Sequence, residues 1–314
     1  MSVRPLVKET TPTGTGSLPT ARKKVTIQSL HKQRASGIPI TVMTAYDFPT
    51  ARACDTHGVD ITLVGDSLAQ VCLGYDSTTR LTLPEMIHHC RAVARGTAAP
   101  FLVADMPFGS YFEGPKETMA AAVRMLQEGH VEGVKIEGGI EIVDSVRALT
   151  RIGIPVMAHV GLMPQRHTAL SGYRVQGRTA QGAREILQAA LALEDAGAFS
   201  MVLEAIPHEL GAYITSRLKI PTIGIGAGPG TSGQVLVYDD VMATWLGHKA
   251  KFVRRFADVK GEVKKGITSY VDAVKDGSFP SVAEESYHMD PEQFNQFLEM
   301  MDDQSWVLRS SKAE

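Results

Sequence analysis

The chain has 314 residues, with 32 Lys and Arg against 34 Asp and Glu for a net charge of −2, and it is 44% hydrophobic and 21% charged. That is ordinary globular composition, and a near-neutral chain without a long basic run gives no electrostatic reason to expect nucleic acid or an anionic membrane as partner. No apolar run approaches the ~18 residues of a membrane span, so a soluble protein is expected.

Residues 1–24 are rich in Ser, Thr, Pro and Gly, with Arg4, Lys8, Arg22, Lys23 and Lys24 against the single acid Glu9. The segment reads either as a transit peptide, which would place the protein in the mitochondrion, or as a plain disordered tail on a cytoplasmic protein.

From residue 38 the chain settles into short apolar, β-branched runs, each followed by a loop and a helical stretch. The runs are 38–47, 59–67, 99–108, 131–139, 154–164, 198–207, 220–228 and 234–240. Most are continuous apolar cores, as expected of parallel strands covered on both faces. Three open with Ile-Pro, at 38–39, 154–155 and 220–221, where a missing N–H is tolerated. Between the runs, Thr82-Leu83-Pro84-Glu85 is a capping box with proline at the first turn, followed by Met86, Ile87, Cys90, Val93 and Ala94 on one helical face. A second helix is predicted at about 182–196, stopping at Gly197. Eight strand–helix units predict an α/β fold, a (β/α)8 TIM barrel over residues 25–280, in preference to a doubly wound sheet. A polar helix near 260–276 and a segment at 290–301 are predicted surface additions, the chain from 281 to 314 forming a C-terminal extension. Cys54, Cys72 and Cys90 are odd in number and contain no CxxC pair, which predicts buried thiols rather than disulfides or a zinc site.

The polar residues inside these runs lie near their C-terminal ends: Asp66 and Ser67, Asp105, Lys135 and Glu137, His159, and Glu204. In a barrel those ends form the catalytic face, so five strands deliver carboxylates, a lysine and a histidine into one mouth. Taken singly, Asp66 or Asp105 could equally cap a helix, and Lys135 and Glu137, at i and i+2 on one strand face, could be an ion pair filling the barrel. Asp66, Asp105 and Glu137 offer only oxygen ligands, which suits Mg²⁺ with positions left for a chelating substrate. A 2-oxo acid is the natural chelator, its enolate stabilised by the metal as Lewis acid. Glu204 is then the candidate general base and Lys135 the candidate for stabilising oxyanion charge. His159 is either a satisfied core histidine or a substrate contact. The stretch Gly228-Pro229-Gly230-Thr231-Ser232-Gly233 matches G-x-G-x-x-G, but no acid follows at about 20 residues and no clear βαβ unit opens on it. It reads as a tight turn in preference to an anion cradle.

Several longer motifs occur in order between about 38 and 280: Met43-Thr44-Ala45-Tyr46-Asp47, Leu63-Val64-Gly65-Asp66-Ser67-Leu68, Ala104-Asp105-Met106-Pro107-Phe108, Val134-Lys135-Ile136-Glu137-Gly138-Gly139, His159-Val160-Gly161-Leu162, Gly172-Tyr173-Arg174-Val175-Gln176-Gly177 and Ile223-Gly224-Ile225-Gly226-Ala227-Gly228. With these the sequence closely resembles the ketopantoate hydroxymethyltransferase family. The resemblance implies a (β/α)8 barrel that transfers a one-carbon unit from 5,10-methylenetetrahydrofolate to 3-methyl-2-oxobutanoate, giving 2-dehydropantoate on the route to pantothenate. By match, Asp66 and Asp105 would be Mg²⁺ ligands with Glu137 on the metal's water shell, Ser67 and Lys135 would contact the oxo acid, and Glu204 would accept the proton. The resemblance also implies a homo-oligomer, a decamer. Ser171 departs from the glycine many members carry, Ala250 from a proline and Glu285 from a histidine. Two other readings compete: a lyase of the isocitrate lyase or phosphoenolpyruvate mutase kind, whose Lys-Lys-Cys-Gly-His type loop is missing here, and an inactive barrel, against which stands the intact set Asp66, Asp105, Lys135, Glu137 and Glu204.

Overall fold

The computed structural model describes residues 22–245 and 247–302. All but the last three residues of the basic N-terminal segment, and with them the transit-peptide expectation, lie outside the described residues. The chain divides into two compact units, the first closing at Ala257 and the second opening at Asp258. The sequence reading carried the catalytic domain on to residue 280.

In the first unit eight parallel strands close a barrel in sequential order. They are β1 (Ile40–Thr44), β2 (Ile61–Val64), β3 (Phe101–Asp105), β4 (Gly133–Glu137), β5 (Val156–Gly161), β6 (Ser200–Glu204), β7 (Thr222–Ile225) and β8 (Gly233–Leu236). Each lies within or across one of the eight predicted runs. Pro39, Pro155 and Pro221 stand immediately before β1, β5 and β7, outside the ladder that their missing N–H would break. The helices of this unit are α1 (Ile27–Ala35), α2 (Phe48–Thr56), α3 (Leu68–Val71), α4 (Leu83–Gly96), α5 (Pro115–Gly129), α6 (Val143–Arg151), α7 (Ala180–Asp195), α8 (His208–Arg217) and α9 (Tyr238–Met242). The predicted capping box starts α4, Thr82 and Glu85 satisfying each other's backbone N–H groups. Gly197, just past α7, adopts φ +99. In the second unit, α10 (Val259–Asp276) and α11 (Pro291–Asp302) correspond to the two predicted additions.

Strand alternation sorts the core into two layers. Ile61, Leu63, Phe101, Val103, Met157, Val202, Ile223 and Val235 point inward and fill the barrel, with Val25 and Leu30 packed into the same cluster from the chain around α1. Val64, Leu102, Ala104, Val134, Ile136, Ala158, Val160 and Leu203 point outward and meet the apolar faces of the helices.

Two expectations need correction. The barrel does not contain eight full strand–helix units: residues 226–232 run directly from β7 to β8 with no helix. The glycine-rich stretch that suggested a nucleotide loop is this connection. A Cβ on Gly228 would stand 2.2 Å from the Cβ of His208, and one on Gly230 2.6 Å from that of Ala212, so the glycines let the loop lie against α8. No helix begins there whose N-terminus could hold a phosphate, consistent with the tight turn. The second correction concerns the thiols: Cys54 and Cys90 are buried, but Cys72, at the end of the single-turn α3, is exposed. Among the described residues no helix is long and apolar enough to cross a membrane.

Candidate active site

The barrel register brings the predicted polar residues together across strands. Asp105 lies beside Lys135, Glu137 beside His159, and Gly161 beside Glu204. Asp66, Ser67, Asp105, Lys135, Glu137, His159 and Glu204 all line one cavity of about 210 Å³ at the C-terminal ends of the strands. A larger cavity of about 340 Å³, near Val160 and the N-terminal half of α7, contains none of them. Volume therefore does not locate the site; the convergence of titratable groups does.

Two glycines make the convergence sterically possible. Gly161 adopts φ +99, and a Cβ there would stand 2.3 Å from the Glu204 carbonyl oxygen. That oxygen accepts the Leu162 N–H at 2.8 Å, which ties the end of β5 to the residue that supplies the candidate base. A Cβ on Gly65 would meet Ser67 Oγ at 3.0 Å and the Thr44 methyl at 3.1 Å, crowding the turn that carries Asp66.

The acids are held by distinct donors. The Asp66 N–H donates to Asp105 Oδ2 at 2.9 Å, and Lys135 Nζ donates to Asp105 Oδ1 at 2.7 Å. Neither aspartate caps a helix: the N-cap of α3 is Ser67, which makes no side-chain capping bond. The alternative ion pair of Lys135 with Glu137 is the longer contact, at 3.9 Å, so Asp105 is the principal partner. Burial alone would lower the Lys135 pKa, but the surrounding carboxylates of Asp105, Glu137 and Asp66 outweigh it and hold the ammonium charged. Burial and the neighbouring Asp105 charge push the Asp66 carboxyl up to about 7 against the opposing pull of Lys135. Glu137 is raised well above the usual carboxylate range, chiefly by burial.

His159 is 1% exposed, so the core-histidine reading holds for its position, yet it also lines the cavity. Its Nε2 lies 2.8 Å from the Leu162 carbonyl, an acceptor only, so Nε2 carries the proton. The same nitrogen is 3.3 Å from Glu204 Oε2. Its Nδ1 has no hydrogen-bond partner and lies 3.7 Å from Glu137 Oε1. Glu204 is the least enclosed of the acids, 13% of its side chain reaching solvent.

Ser67 is oriented by a chain of hydroxyls that sequence reasoning did not foresee. The Tyr238 N–H donates to Thr44 Oγ1 at 2.8 Å, and the Thr44 hydroxyl donates to the Tyr46 oxygen at 2.7 Å. The Tyr46 hydroxyl proton then falls to Ser67 Oγ, 2.9 Å away, which leaves the Ser67 proton free to donate to a ligand. Tyr46 lay inside a motif read for its resemblance only. Gln165, buried after β5, was also missed: its side-chain amide donates to Asp66 Oδ2 and its backbone N–H to Glu137 Oε2. Nothing in a Pro-Gln-Arg stretch distinguishes such a residue from a surface loop. Tyr173 and Phe252 supply half-exposed rings among the cavity's lining.

The donor set fits one class of metal. Among the described residues no group of three His, Cys, Asp or Glu side chains is arranged to hold an ion. Asp66 and Asp105 are two adjacent buried carboxylates, and a cation would relieve the mutual repulsion that raises Asp66. Two carboxylates with the remaining positions left to water and substrate is a Mg²⁺ arrangement, not a structural zinc site. Glu137, 2% exposed and held by Gln165, borders this pair rather than completing a third direct ligand.

Comparison with known proteins follows the same lines. The family model of ketopantoate hydroxymethyltransferase matches residues 24–282. The 3-methyl-2-oxobutanoate hydroxymethyltransferase of Emericella nidulans is 44% identical over 284 residues, covering 90% of this chain and 81% of that protein. The enzyme of the same name from Oleidesulfovibrio alaskensis is 50% identical over 250 residues, covering 80% and 86%. Among solved structures, a phosphonopyruvate hydrolase complexed with oxalate and Mg²⁺ superposes with a TM-score of 0.55 at 15% identity, over 88% of this chain and 97% of that one, which is a likeness of fold.

Proposed function

The chain belongs to the ketopantoate hydroxymethyltransferase family, and from that premise we propose that it transfers the one-carbon unit of 5,10-methylenetetrahydrofolate to 3-methyl-2-oxobutanoate. The observation that carries the proposal is a single cavity of about 210 Å³, large enough for a small oxo acid, lined by Glu204, Lys135 and the Asp66–Asp105 pair.

Asp66 and Asp105 would hold Mg²⁺, with Glu137 reaching its water shell. Bound there, the ion supplies Lewis-acid polarisation of the oxo acid's carbonyl. Glu204 takes the proton from C3, the carbon next to that carbonyl, with the His159 ring beside it at 3.3 Å. Lys135, kept charged by its acidic neighbours, stabilises negative charge developing on the substrate oxygen. Ser67 donates its free hydroxyl proton to the oxo acid. The carbon freed of its proton bonds to the methylene carbon of the folate as both C–N bonds of that carbon break; water supplies the hydroxyl, its remaining proton and the one held by Glu204 pass to the two folate nitrogens, and tetrahydrofolate and 2-dehydropantoate leave. A homo-oligomer, the decamer implied by the family, belongs to the same reading.

The test is NMR of 3-methyl-2-oxobutanoate in D2O with enzyme and Mg²⁺, with and without methylenetetrahydrofolate. Metal-dependent loss of the C3 proton signal is expected in both samples, with 2-dehydropantoate forming only when the folate is present. Exchange without product would instead identify another enzyme that enolises 2-oxo acids, and neither exchange nor product would identify an inactive barrel.

A further inference from the structure

Two of the cavity's acids, Asp66 on the turn after β2 and Glu137 at the end of β4, receive their side-chain hydrogen bonds from one residue that belongs to neither element. Gln165 lies in the one-turn helix Pro164–Arg166 after β5 and is 3% exposed. Its amide Nε2 uses both protons, one on Asp66 Oδ2 at 3.0 Å and one on the Met106 carbonyl at 3.0 Å. Its Oε1 accepts the Tyr111 hydroxyl at 2.6 Å, and its backbone N–H donates to Glu137 Oε2 at 3.1 Å. Among the described residues no other hydrogen bond reaches either carboxylate side chain.

The amide can sit only one way round. Turned over, Oε1 would face a carboxylate and a carbonyl, two acceptors, while the NH2 would meet the Tyr111 oxygen, whose proton would then have only the Glu137 carbonyl 3.2 Å away to receive it. The two acceptors that Nε2 meets, Asp66 Oδ2 and the Met106 carbonyl, therefore set the direction of the amide, and the buried Tyr111 hydroxyl donates to the oxygen that this leaves facing it.

We propose that Gln165 is a positioning residue, anchored by the Met106 carbonyl and the Tyr111 hydroxyl, that aims the Asp66 carboxylate for divalent-cation binding. The inference rests on the Mg²⁺ reading of the site. The ligand Asp66 comes from one loop and its guide from another, so the two are brought to register only by closure of the barrel.

The test is titration of the whole protein with Mg²⁺ in the absence of substrates, alongside thermal unfolding in EDTA. Gln165→Met keeps the length of the side chain and removes both donors. It should weaken Mg²⁺ binding by roughly 10–100-fold, the usual effect of losing a hydrogen-bond partner of a metal ligand, while the EDTA midpoint stays near that of the wild type. Tyr111→Phe, which removes the donor to the amide oxygen and loosens the amide without removing it, should weaken binding in the same direction by less. If Gln165→Met does not fold, Tyr111→Phe decides alone. A Gln165→Met dissociation constant within twofold of wild type overturns the inference, as does a loss of affinity that only tracks a lowered EDTA midpoint with Tyr111→Phe silent. A wild-type protein that binds no Mg²⁺ overturns the metal reading itself and the inference with it, so the two failures are told apart.

Discussion

Lys135 Nζ lies 2.7 Å from Asp105 Oδ1, with both side chains almost wholly buried. Lys135 is the one lysine or arginine among the described residues lining a cavity that the acids Asp66, Asp105, Glu137 and Glu204 share. Its removal leaves buried negative charge uncompensated, the case in which breaking an ion pair is most costly. Lys135→Met should therefore lower unfolding free energy by about 3–5 kcal/mol at neutral pH, as read by urea denaturation. Adding Asp105→Asn should recover part of that loss; an additive further loss would mean that the pair is not the source of the effect.

Glu204→Gln keeps shape and hydrogen-bonding reach but not basicity. Solvent deuterium exchange at C3 of 3-methyl-2-oxobutanoate should slow by ~10²–10⁴-fold, the span typical of a general base, with the oxo acid still bound. Exchange at the wild-type rate would remove Glu204 from the role.

The raised Asp66 carboxyl gives the site a pH dependence whose sign can be worked out. Its folded pKa of about 7 lies above the unfolded value near 4, so the folded protein holds an extra proton between them. The stability this confers is complete below pH ~4 and is lost as pH rises through about 7. A cation competes with that proton for the carboxylate, so Mg²⁺ should bind more tightly as pH rises through about 7, releasing protons on binding at lower pH. The increase in melting temperature given by Mg²⁺ over EDTA should accordingly be larger at pH 8 than at pH 5.5. An equal increase at both would show that the metal displaces no proton from Asp66.

Gly161→Ala should damage both stability and exchange activity, because φ +99 disfavours a side chain and the new methyl would collide with the Glu204 carbonyl. A loss of about 2 kcal/mol or more is expected from strain and displaced packing, measured by denaturant titration.

Ser171 offers the opposite case. It adopts φ +58, the left-handed region, where glycine is the residue that fits without strain. The left-handed backbone costs roughly 1–2 kcal/mol for a residue with a Cβ, and glycine's greater unfolded-state freedom returns about 0.5–1. Ser171→Gly should thus stabilise the protein by ~0.5–1 kcal/mol. No gain in the unfolding midpoint would mean that local hydrogen bonding already offsets the strain.

The sequence by itself determined the eight strands and the end of the barrel at which chemistry gathers. Continuous apolar runs allow little but buried parallel strands, the Ile-Pro entries mark where three of them begin, and a polar residue at the end of such a run has only the mouth of the barrel to occupy. It also supplied the residue types from which an oxygen-ligated cation and a carboxylate base are proposed. What tertiary structure decided was which residues meet. That Lys135 pairs first with Asp105, that Gly161 must yield space to Glu204, and that Gln165 reaches across to Asp66 depend on register between strands separated by tens of residues, and no local pattern encodes register around a closed sheet. The missing helix between β7 and β8 was hidden for a related reason: a glycine-rich connection looks alike in sequence whether it opens a helix or packs flat against the side chains of α8.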